Sequence, residues 1–194
     1  MMTTRAAWLV QHFYSGTPAD KLASARRLHA VFAARPEETA LAAALAELRK
    51  HAEALAAHMR RLDFGALCTA CASRPDGGCC SAYMADNVDA VLLLINLLLG
   101  GDVRPVGTDP AGCRFLGERG CVLLIKPIFC LNYNCRAILD PTPAAGLAEL
   151  FRRAAAVLSQ QTRVEELLLA RLDQSDLDPL EPAPPNPREP RPAC

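Results

Sequence analysis

The sequence has no excess of charge of either sign. Its 194 residues contain 21 Lys and Arg against 21 Asp and Glu, so the formal net charge at pH 7 is zero. Proteins that bind nucleic acids normally carry a basic excess that neutralises phosphates. We therefore expect no nucleic-acid partner.

Long hydrophobic runs are also lacking. The most apolar stretch, AVLLLINLLL over residues 90–99, is about half the roughly twenty residues that span a bilayer, so it predicts a buried helix and no membrane association. The apolar run over residues 6–10 is too short for the core of a secretory signal. The chain is thus expected in the cytoplasm, where disulfides rarely persist and clustered cysteines more often mark metal or catalytic sites.

Helical patterns occupy both ends of the chain. Thr17 and Pro18 form a typical helix start. The expected organisation is an N-terminal helical arm over residues 1–63, a cysteine-cluster metal-binding core over 64–140, a C-terminal helix over 141–173 and a tail over 174–194. The tail contains seven prolines, which predicts disorder.

Two long segments carry apolar residues at alternating steps of three and four, which is typical of packed helices. The seam of a helix over residues 36–63 is formed by Leu41, Leu45, Leu48, Ala52, Leu55, Met59 and Leu62. The seam of a helix over residues 143–173 is formed by Leu147, Leu150, Ala154, Val157, Gln161, Val164 and Leu168. The two seams most simply pack on each other within the chain. A homodimer or a partner protein bound through these helices is the alternative.

The core between these helices is predicted to be irregular. A helix is expected over residues 81–99, because the apolar run ends at Gly100 and Gly101, a helix stop signal. Two short strands are expected on either side of the turn GERG at residues 117–120. The predicted fold class is mostly α, with a cysteine-rich metal-binding core that contains a short hairpin and is flanked by long packing helices.

Eight of the nine cysteines lie in this core. In sequence order they form two groups of four, Cys68-x2-Cys71-x7-Cys79-Cys80 and Cys113-x7-Cys121-x8-Cys130-x4-Cys135. Four thiolates are the ligand count of a tetrahedral zinc site or of one iron–sulfur cluster, and a tightly turning CxxC backbone can aim two sulfurs at one metal. All eight are candidate metal ligands, in two quartets or interleaved around one centre. Cys194, in the tail, is expected to take no part.

The adjacent cysteines at 79 and 80 need a particular backbone setting. In an extended chain neighbouring side chains point to opposite faces, so both could hardly reach one ion. Just before the predicted helix over 81–99, the exposed N–H groups and the helix dipole would favour thiolates. Gly77 and Gly78 would let the backbone approach closely.

The order of these residues resembles a known family. From Cys113 the chain reads C-R-F-L, then Cys121-Val-Leu, then K-P-x2-C-x4-C over residues 126–135. This is similar to the C-x-F-L … C … R-P-x2-C-x4-C run of the YkgJ-like proteins, with Lys126 in place of Arg. The first group departs from that family's CxxCxxxCC signature, since the loop ASRPDGG adds residues between Cys71 and Cys79. The resemblance covers about residues 65–138 and implies that the clustered thiolates chelate zinc or iron.

The expected function is therefore binding of zinc or iron, with an iron–sulfur cluster included. Thiolate ligands suit all of these centres, and the spacing of the cysteines leaves the metal open. Two other classes are kept: an enzyme that uses the metal centre in catalysis, and a thiol redox sensor in which Cys68 and Cys71 form a reversible pair. No serine–histidine triad or phosphate-binding glycine loop is recognisable in the sequence.

Overall fold

The computed structural model describes residues 13–34, 39–74, 78–132 and 134–172. Within these ranges the protein is mostly helical, as predicted, and its sheet is a single two-stranded hairpin. The helices are α1 (Pro18–Ala33), α2 (Thr39–Arg61), α3 (Phe64–Ala72), α4 (Ala82–Asp86), α5 (Ala90–Leu98), α6 (Ile128–Asn132), α7 (Arg136–Leu139) and α8 (Ala144–Arg171). The strands are β1 (Leu116–Gly117) and β2 (Gly120–Cys121).

Helix α1 begins with the predicted cap. The hydroxyl of Thr17 accepts a hydrogen bond from the backbone N–H of Asp20 at 3.3 Å, and the Asp20 carboxylate accepts one from the Thr17 N–H at 2.9 Å. Pro18 fills the first helical position, where its missing N–H costs nothing. The helix packs on α5. The residues that it buries include Leu22, Ala25, Leu28 and Phe32.

Helices α2 and α8 form the most extensive helix pair of the described structure. The apolar residues that α2 buries are Leu41, Ala44, Leu48, Ala52 and Leu55. Those that α8 buries are Leu150, Ala154, Val157, Val164 and Leu168. Nearly all of them belong to the two predicted seams, so packing of the seams within the chain is confirmed.

A break divides the segment that the sequence predicts as one helix over residues 81–99. Helix α4 ends at Asp86, and Asp89 becomes the N-cap of α5, where its Oδ1 accepts a hydrogen bond from the Leu92 N–H at 2.7 Å. The single-helix prediction is wrong here, because an Asp side chain that caps a new helix competes with continuation of the old one. Helix α5 is buried throughout residues 90–96 and packs on α1 and α8.

One polar side chain, that of Asn96, lies within this buried stretch of α5. Its Nδ2 donates hydrogen bonds to the carbonyl oxygens of Leu92 and Ile125, both at 2.9 Å, and its Oδ1 accepts one from the Ile125 N–H at 3.0 Å. Asn96 is 1% exposed and Ile125 is 0% exposed. Buried backbone groups must find partners, and the Asn96 amide provides them for Ile125. The segment that leads to Cys130 is thereby fixed to the core.

The hairpin is antiparallel, as predicted, with Leu116 opposite Cys121 and Gly117 opposite Gly120. The Thr69 hydroxyl on α3 donates a hydrogen bond to the Gly117 carbonyl at 3.1 Å. The hairpin is thus anchored to the helix that carries the CxxC pair.

Two glycines allow the hairpin and α3 to touch through their backbones. A Cβ atom on Gly65 would stand 2.4 Å from the carbonyl oxygen of Arg119, and one on Gly120 would stand 2.8 Å from the Gly65 Cα. Gly120 also has φ +98°, a conformation that L side chains rarely adopt. Glycine at both positions brings β2 beside α3.

None of the described helices is both long enough and apolar enough to span a membrane. The predicted tail over 174–194, together with Cys194, lies outside the described residues.

Candidate metal centre

The CxxC pair lies on helix α3. Residues three apart on an α-helix share a face, so Cys68 and Cys71 lie one above the other along α3. Both are half-buried free thiols. The tight turn expected for this pair is replaced by a helical turn.

Cys79 and Cys80 precede helix α4, whose N-cap is Ser81. Their predicted position at the start of a helix is confirmed, although that helix has only five residues. The predicted close approach is confirmed for Gly78, where a Cβ atom would stand 2.9 Å from the Cys71 sulfur. Gly77 lies outside the described residues.

A short backbone contact brings the second sequence group to the first. Ser81 and Gly112 form an isolated antiparallel bridge, and the Cys113 N–H donates a hydrogen bond to the Cys80 carbonyl at 3.1 Å. The first cysteine of the second group therefore lies beside the last cysteine of the first.

Three further elements carry the remaining cysteines. Cys121 ends β2, Cys130 lies on α6, and Cys135 is the N-cap of α7. Helix α7 and strand β2 both pack on α3. All eight cysteines of the core are free thiols.

One small cavity, of about 10 Å³, is lined by five of these cysteines. They are Cys68, Cys71, Cys79, Cys80 and Cys135. The other lining residues are apolar: Leu67, Ala137 and Ile138. The volume is about that of one water-sized sphere. Cys135, from the second sequence group, thus lies at the same cavity as the four cysteines of the first group.

Hydrogen bonds between thiols link Cys80 to both Cys68 and Cys79. The Cys80 thiol carries one proton, so its S–H donates to one of these sulfurs at a time and favours the thiolate form of that acceptor. This donation lowers the pKa of Cys68, and it lowers the pKa of Cys79 to about 6 with help from the backbone N–H groups of residues 79 and 80. The same hydrogen bonds raise the pKa of Cys80 well above its usual range. Cys79, which is exposed, is therefore mostly thiolate at neutral pH.

The pKa values of three thiols of the second group, those of Cys113, Cys121 and Cys130, are raised. Desolvation raises the pKa of Cys113 and of Cys121. Cys130 is exposed as a residue, but desolvation of its thiol and the nearby charges of Cys121, Cys113 and Cys79 raise its pKa to about 12. A nearby cation would favour deprotonation of these three thiols.

Lys126 is a cation that several of these thiols share. Its ammonium group donates a hydrogen bond to the Leu123 carbonyl at 2.9 Å, and its charge contributes to the lowered pKa of Cys68. The same charge partly opposes the desolvation that raises the pKa of Cys121 and of Cys130. The sequence alone did not identify this role. The available signal was one basic residue in the otherwise apolar run between Cys121 and Cys130.

Asn134, next to Cys135 in the chain, carries a donor without a partner. Its Nδ2 is buried, and among the described residues nothing accepts a hydrogen bond from it. An unpaired buried donor costs about 1–3 kcal/mol, and such a group calls for an explanation such as an ion or ligand. This amide is available to a thiolate sulfur.

Several of the sulfurs lie close together, but they are not positioned as the ligands of one metal ion. Within the described ranges, no group of three or more His, Cys, Asp or Glu side chains is already arranged to hold a metal ion. Some of the thiols hydrogen-bond to each other instead. Metal binding would therefore require side-chain rotations that bring each sulfur to about 2.3 Å from the ion.

Comparisons with known proteins find no relative. No family model matches the chain, and searches of curated proteins and of solved structures likewise give no match. The resemblance to the YkgJ-like proteins rests on the cysteine pattern and its Phe, Leu and Pro neighbours, and it stays a prediction.

Proposed function

We propose that this protein binds zinc or iron through its clustered cysteine thiolates. The observation that carries the proposal is the cavity, into which three separate parts of the chain bring five cysteines. Thiolate sulfur is a preferred ligand of zinc and of iron–sulfur clusters. A cavity of about 10 Å³ suits a single ion, whereas a cluster with inorganic sulfide would need the sulfurs to move further apart.

The surroundings of the sulfurs fit a bound cation. Cys79 is exposed and has a lowered pKa, so it offers an arriving ion its first anionic ligand. Lys126 offsets part of the negative charge that deprotonated thiols would add, and the Asn134 amide can donate a hydrogen bond to sulfur. Bound metal would neutralise the thiolate charges and would cross-link the chain segments that carry the cysteines.

Catalysis is less well supported than binding. Apart from the thiols, the described residues that line the cavity are Leu67, Ala137 and Ile138, none of which can transfer a proton. An enzyme site needs convergent polar groups beside the reactive atom.

A thiol redox sensor is the second candidate, and the hydrogen bonds of Cys80 favour it. Cys80 contacts Cys68 and Cys79, so a two-electron oxidant such as a peroxide would join Cys80 to one of these sulfurs as a disulfide, with loss of both thiol protons, and a thiol reductant would reverse it. This replaces the Cys68–Cys71 pair as the expected couple. The eight free thiols suit a reducing compartment, and we place the protein in the cytoplasm.

Anaerobic purification of the full chain, followed by elemental analysis, labile-sulfide determination and a visible spectrum, tests the proposal. We expect stoichiometric metal: zinc without colour, or iron with colour and with sulfide if a cluster forms. The Cys194→Ser variant is the matched control, and it should keep the same metal content.

The proposal fails if the purified chain contains no zinc or iron and takes up neither from solution under reducing conditions. Metal-free protein that forms a reversible disulfide through Cys80 would instead support the redox sensor.

A further inference from the structure

We propose that a second cavity of this protein binds a small zwitterion, a molecule that carries a carboxylate and at least one ammonium group. The cavity lies between helix α4, which contributes Ala82 and Asp86, and the loop over residues 105–114, and we call it the α4 cleft. Its volume is about 260 Å³. Pockets for drug-sized ligands have about 300–1,000 Å³, so the cleft suits a smaller molecule, of the size of an amino acid. This inference goes beyond the proposed metal binding and does not depend on it.

The two walls of the α4 cleft are joined by backbone contacts. The Ala82 N–H donates a hydrogen bond to the Ala111 carbonyl at 2.9 Å, and Ser81 and Gly112 form the isolated antiparallel bridge. These contacts tie the start of α4 to the far end of the loop over 105–114. The cleft therefore has a closed floor, and a ligand in it contacts both walls.

The loop that forms the second wall is folded back on itself. The Arg114 carbonyl accepts hydrogen bonds from the N–H groups of Val106 at 2.8 Å and of Gly107 at 3.0 Å. A Cβ atom on Gly107 would stand 2.7 Å from the Cys113 carbonyl oxygen, so the two ends of the loop pack against each other through their backbones. A wall that is fixed before the ligand arrives reduces the entropy that binding costs.

Charges of both signs line the α4 cleft. Arg114 contributes a guanidinium group, and Asp86 and Asp109 contribute carboxylates. Within the described part of the chain, neither the Arg114 guanidinium nor the Asp86 carboxylate has a hydrogen bond or an ion pair. The nearby Lys21 ammonium donates to the Asp86 backbone carbonyl, which fixes the end of α4. The Asp109 Oδ1 accepts a hydrogen bond from the Ala111 N–H at 2.9 Å, which orients that carboxylate and leaves its other oxygen to accept.

A zwitterion satisfies these groups together. A guanidinium binds a carboxylate through two parallel hydrogen bonds, and a carboxylate accepts hydrogen bonds from an ammonium group. An apolar ligand would leave the charges without partners, and a phosphate would meet two carboxylates of its own sign. Because two carboxylates face one guanidinium, a ligand with one carboxylate and two ammonium groups is the most complementary in charge. Lysine is such a molecule.

The test is a titration of the ¹⁵N-labelled full chain, in a buffer with a thiol reductant, with L-lysine, L-leucine or L-glutamate. Amide chemical shifts measure affinity and location. We expect saturable shifts in residues 105–114 and in α4. Lysine should bind roughly fivefold more tightly than leucine, since its side chain adds one exposed ion pair, and glutamate should bind most weakly.

Substitutions separate the two charges of the cleft. Arg114→Met removes the partner of the ligand carboxylate and should weaken binding of all three amino acids roughly tenfold or more. Asp86→Asn should weaken lysine and narrow its preference over glutamate, a change that a merely structural defect would not produce. Arg119→Met is the matched control, because Arg119 is exposed and lies outside the cleft, and it should bind lysine like the unaltered protein.

Three results would overturn the proposal: no shifts in residues 105–114 at about 50 mM lysine, which would saturate a millimolar site; glutamate binding as tight as that of lysine; or unchanged binding by folded Arg114→Met. If Arg114→Met does not fold by circular dichroism, Arg114→Gln replaces it, with the same expected loss. None of these results would refute metal binding, because the described residues that line the α4 cleft include no thiol.

Discussion

Asn96 and the backbone of Ile125 hold each other by two hydrogen bonds, one in each direction. The pair is fully buried and joins the core helix α5 to the chain just before Lys126. The Asn96 side chain, on a helix, therefore provides the hydrogen bonds that the backbone of a neighbouring strand would provide in a sheet. This amide helps to hold the chain segment that leads to Lys126 and Cys130.

Replacing Asn96 by Ala should destabilise the protein strongly. The substitution leaves the N–H and carbonyl of Ile125 buried without partners, for which we expect a loss of about 2–4 kcal/mol in the free energy of unfolding. Urea denaturation followed by circular dichroism measures it. The control is Asn87→Ala, which removes an exposed hydrogen bond to the Tyr83 carbonyl and should cost less than about 0.5 kcal/mol. Equal losses in the two variants would show that the Asn96–Ile125 pair is not structurally important.

Adding a methyl group at Gly65 should separate α3 from the hairpin. Ala favours a helix by about 1 kcal/mol over Gly, but here its Cβ would meet the Arg119 carbonyl at 2.4 Å, and backbone cannot yield as a side chain can. We expect a net loss of about 1–3 kcal/mol and a lower metal content. Gly117→Ala is the control in the same hairpin, since its nearest contact would be an ordinary 3.5 Å. An unchanged unfolding midpoint in Gly65→Ala would contradict the close contact.

Cys79 should be the most reactive thiol of the metal-free protein at neutral pH. The thiolate is the form that attacks iodoacetamide, and its fraction rises as pH rises through the pKa. The alkylation rate of Cys79 should therefore reach half its maximum near pH 6, while Cys130, with a pKa of about 12, stays slow at pH 7. Peptide mass spectrometry over a pH series measures both. In Cys80→Ala the midpoint for Cys79 should move toward the usual value of about 8.5; the same midpoint in both proteins would refute the hydrogen bond as the cause.

Lys126→Met should weaken metal binding. A zinc ion bound by the clustered thiolates would carry a net negative charge, which the Lys126 ammonium would offset, and its removal would also raise the pKa of nearby thiols. We expect roughly a tenfold or greater loss of zinc affinity, measured by competition with a chromophoric chelator. Lys126→Arg keeps the charge and should recover most of the affinity. Arg104→Met, which breaks an exposed pair with Asp102, should have no effect. A Lys126→Arg variant as weak as Lys126→Met would rule out the charge as the reason.

Removing the metal should lower the melting temperature. The proposed ligands come from segments that α3 and the hairpin only partly tie together, so binding energy would contribute directly to folding. With free metal at about a thousand times its dissociation constant the gain is about 4 kcal/mol, or about 8–16 °C in melting temperature. Differential scanning calorimetry before and after chelation measures the shift, and re-addition of the metal should reverse it. Metal loss without any change in melting temperature would separate binding from folding.

The features that the sequence predicts correctly depend on neighbours within a few residues. Thr17 and Asp20 are three positions apart, and they form the cap that was expected. The steps of three and four along α2 and α8 likewise report which helix face is buried, so the helix pair follows from spacing alone.

The features that it does not predict depend on residues far apart or on competing local signals. Asp89 can cap a helix, but the apolar run after it is also consistent with one continuous helix. The sequence therefore did not predict the break before α5. The CxxC spacing fits a metal knuckle and a helix face equally well, so it does not predict that the pair lies on a helix. In the structure the pair lies on α3, which also carries the glycine that contacts the hairpin, Gly65. Cys135 joins Cys68 through packing of α7 on α3, and no local pattern in either segment reports that contact.

The long separation between Cys68 and Cys135 has a consequence for biosynthesis. Cys135 lies 67 residues after Cys68, and chains grow at about 5–20 residues per second, so about 3–13 s pass between the synthesis of Cys68 and that of Cys135. For most of that interval Cys79, a thiol with a lowered pKa, is present without Cys130 and Cys135. The partly made chain therefore carries a reactive thiol before the cavity can form, and slower translation would lengthen that period.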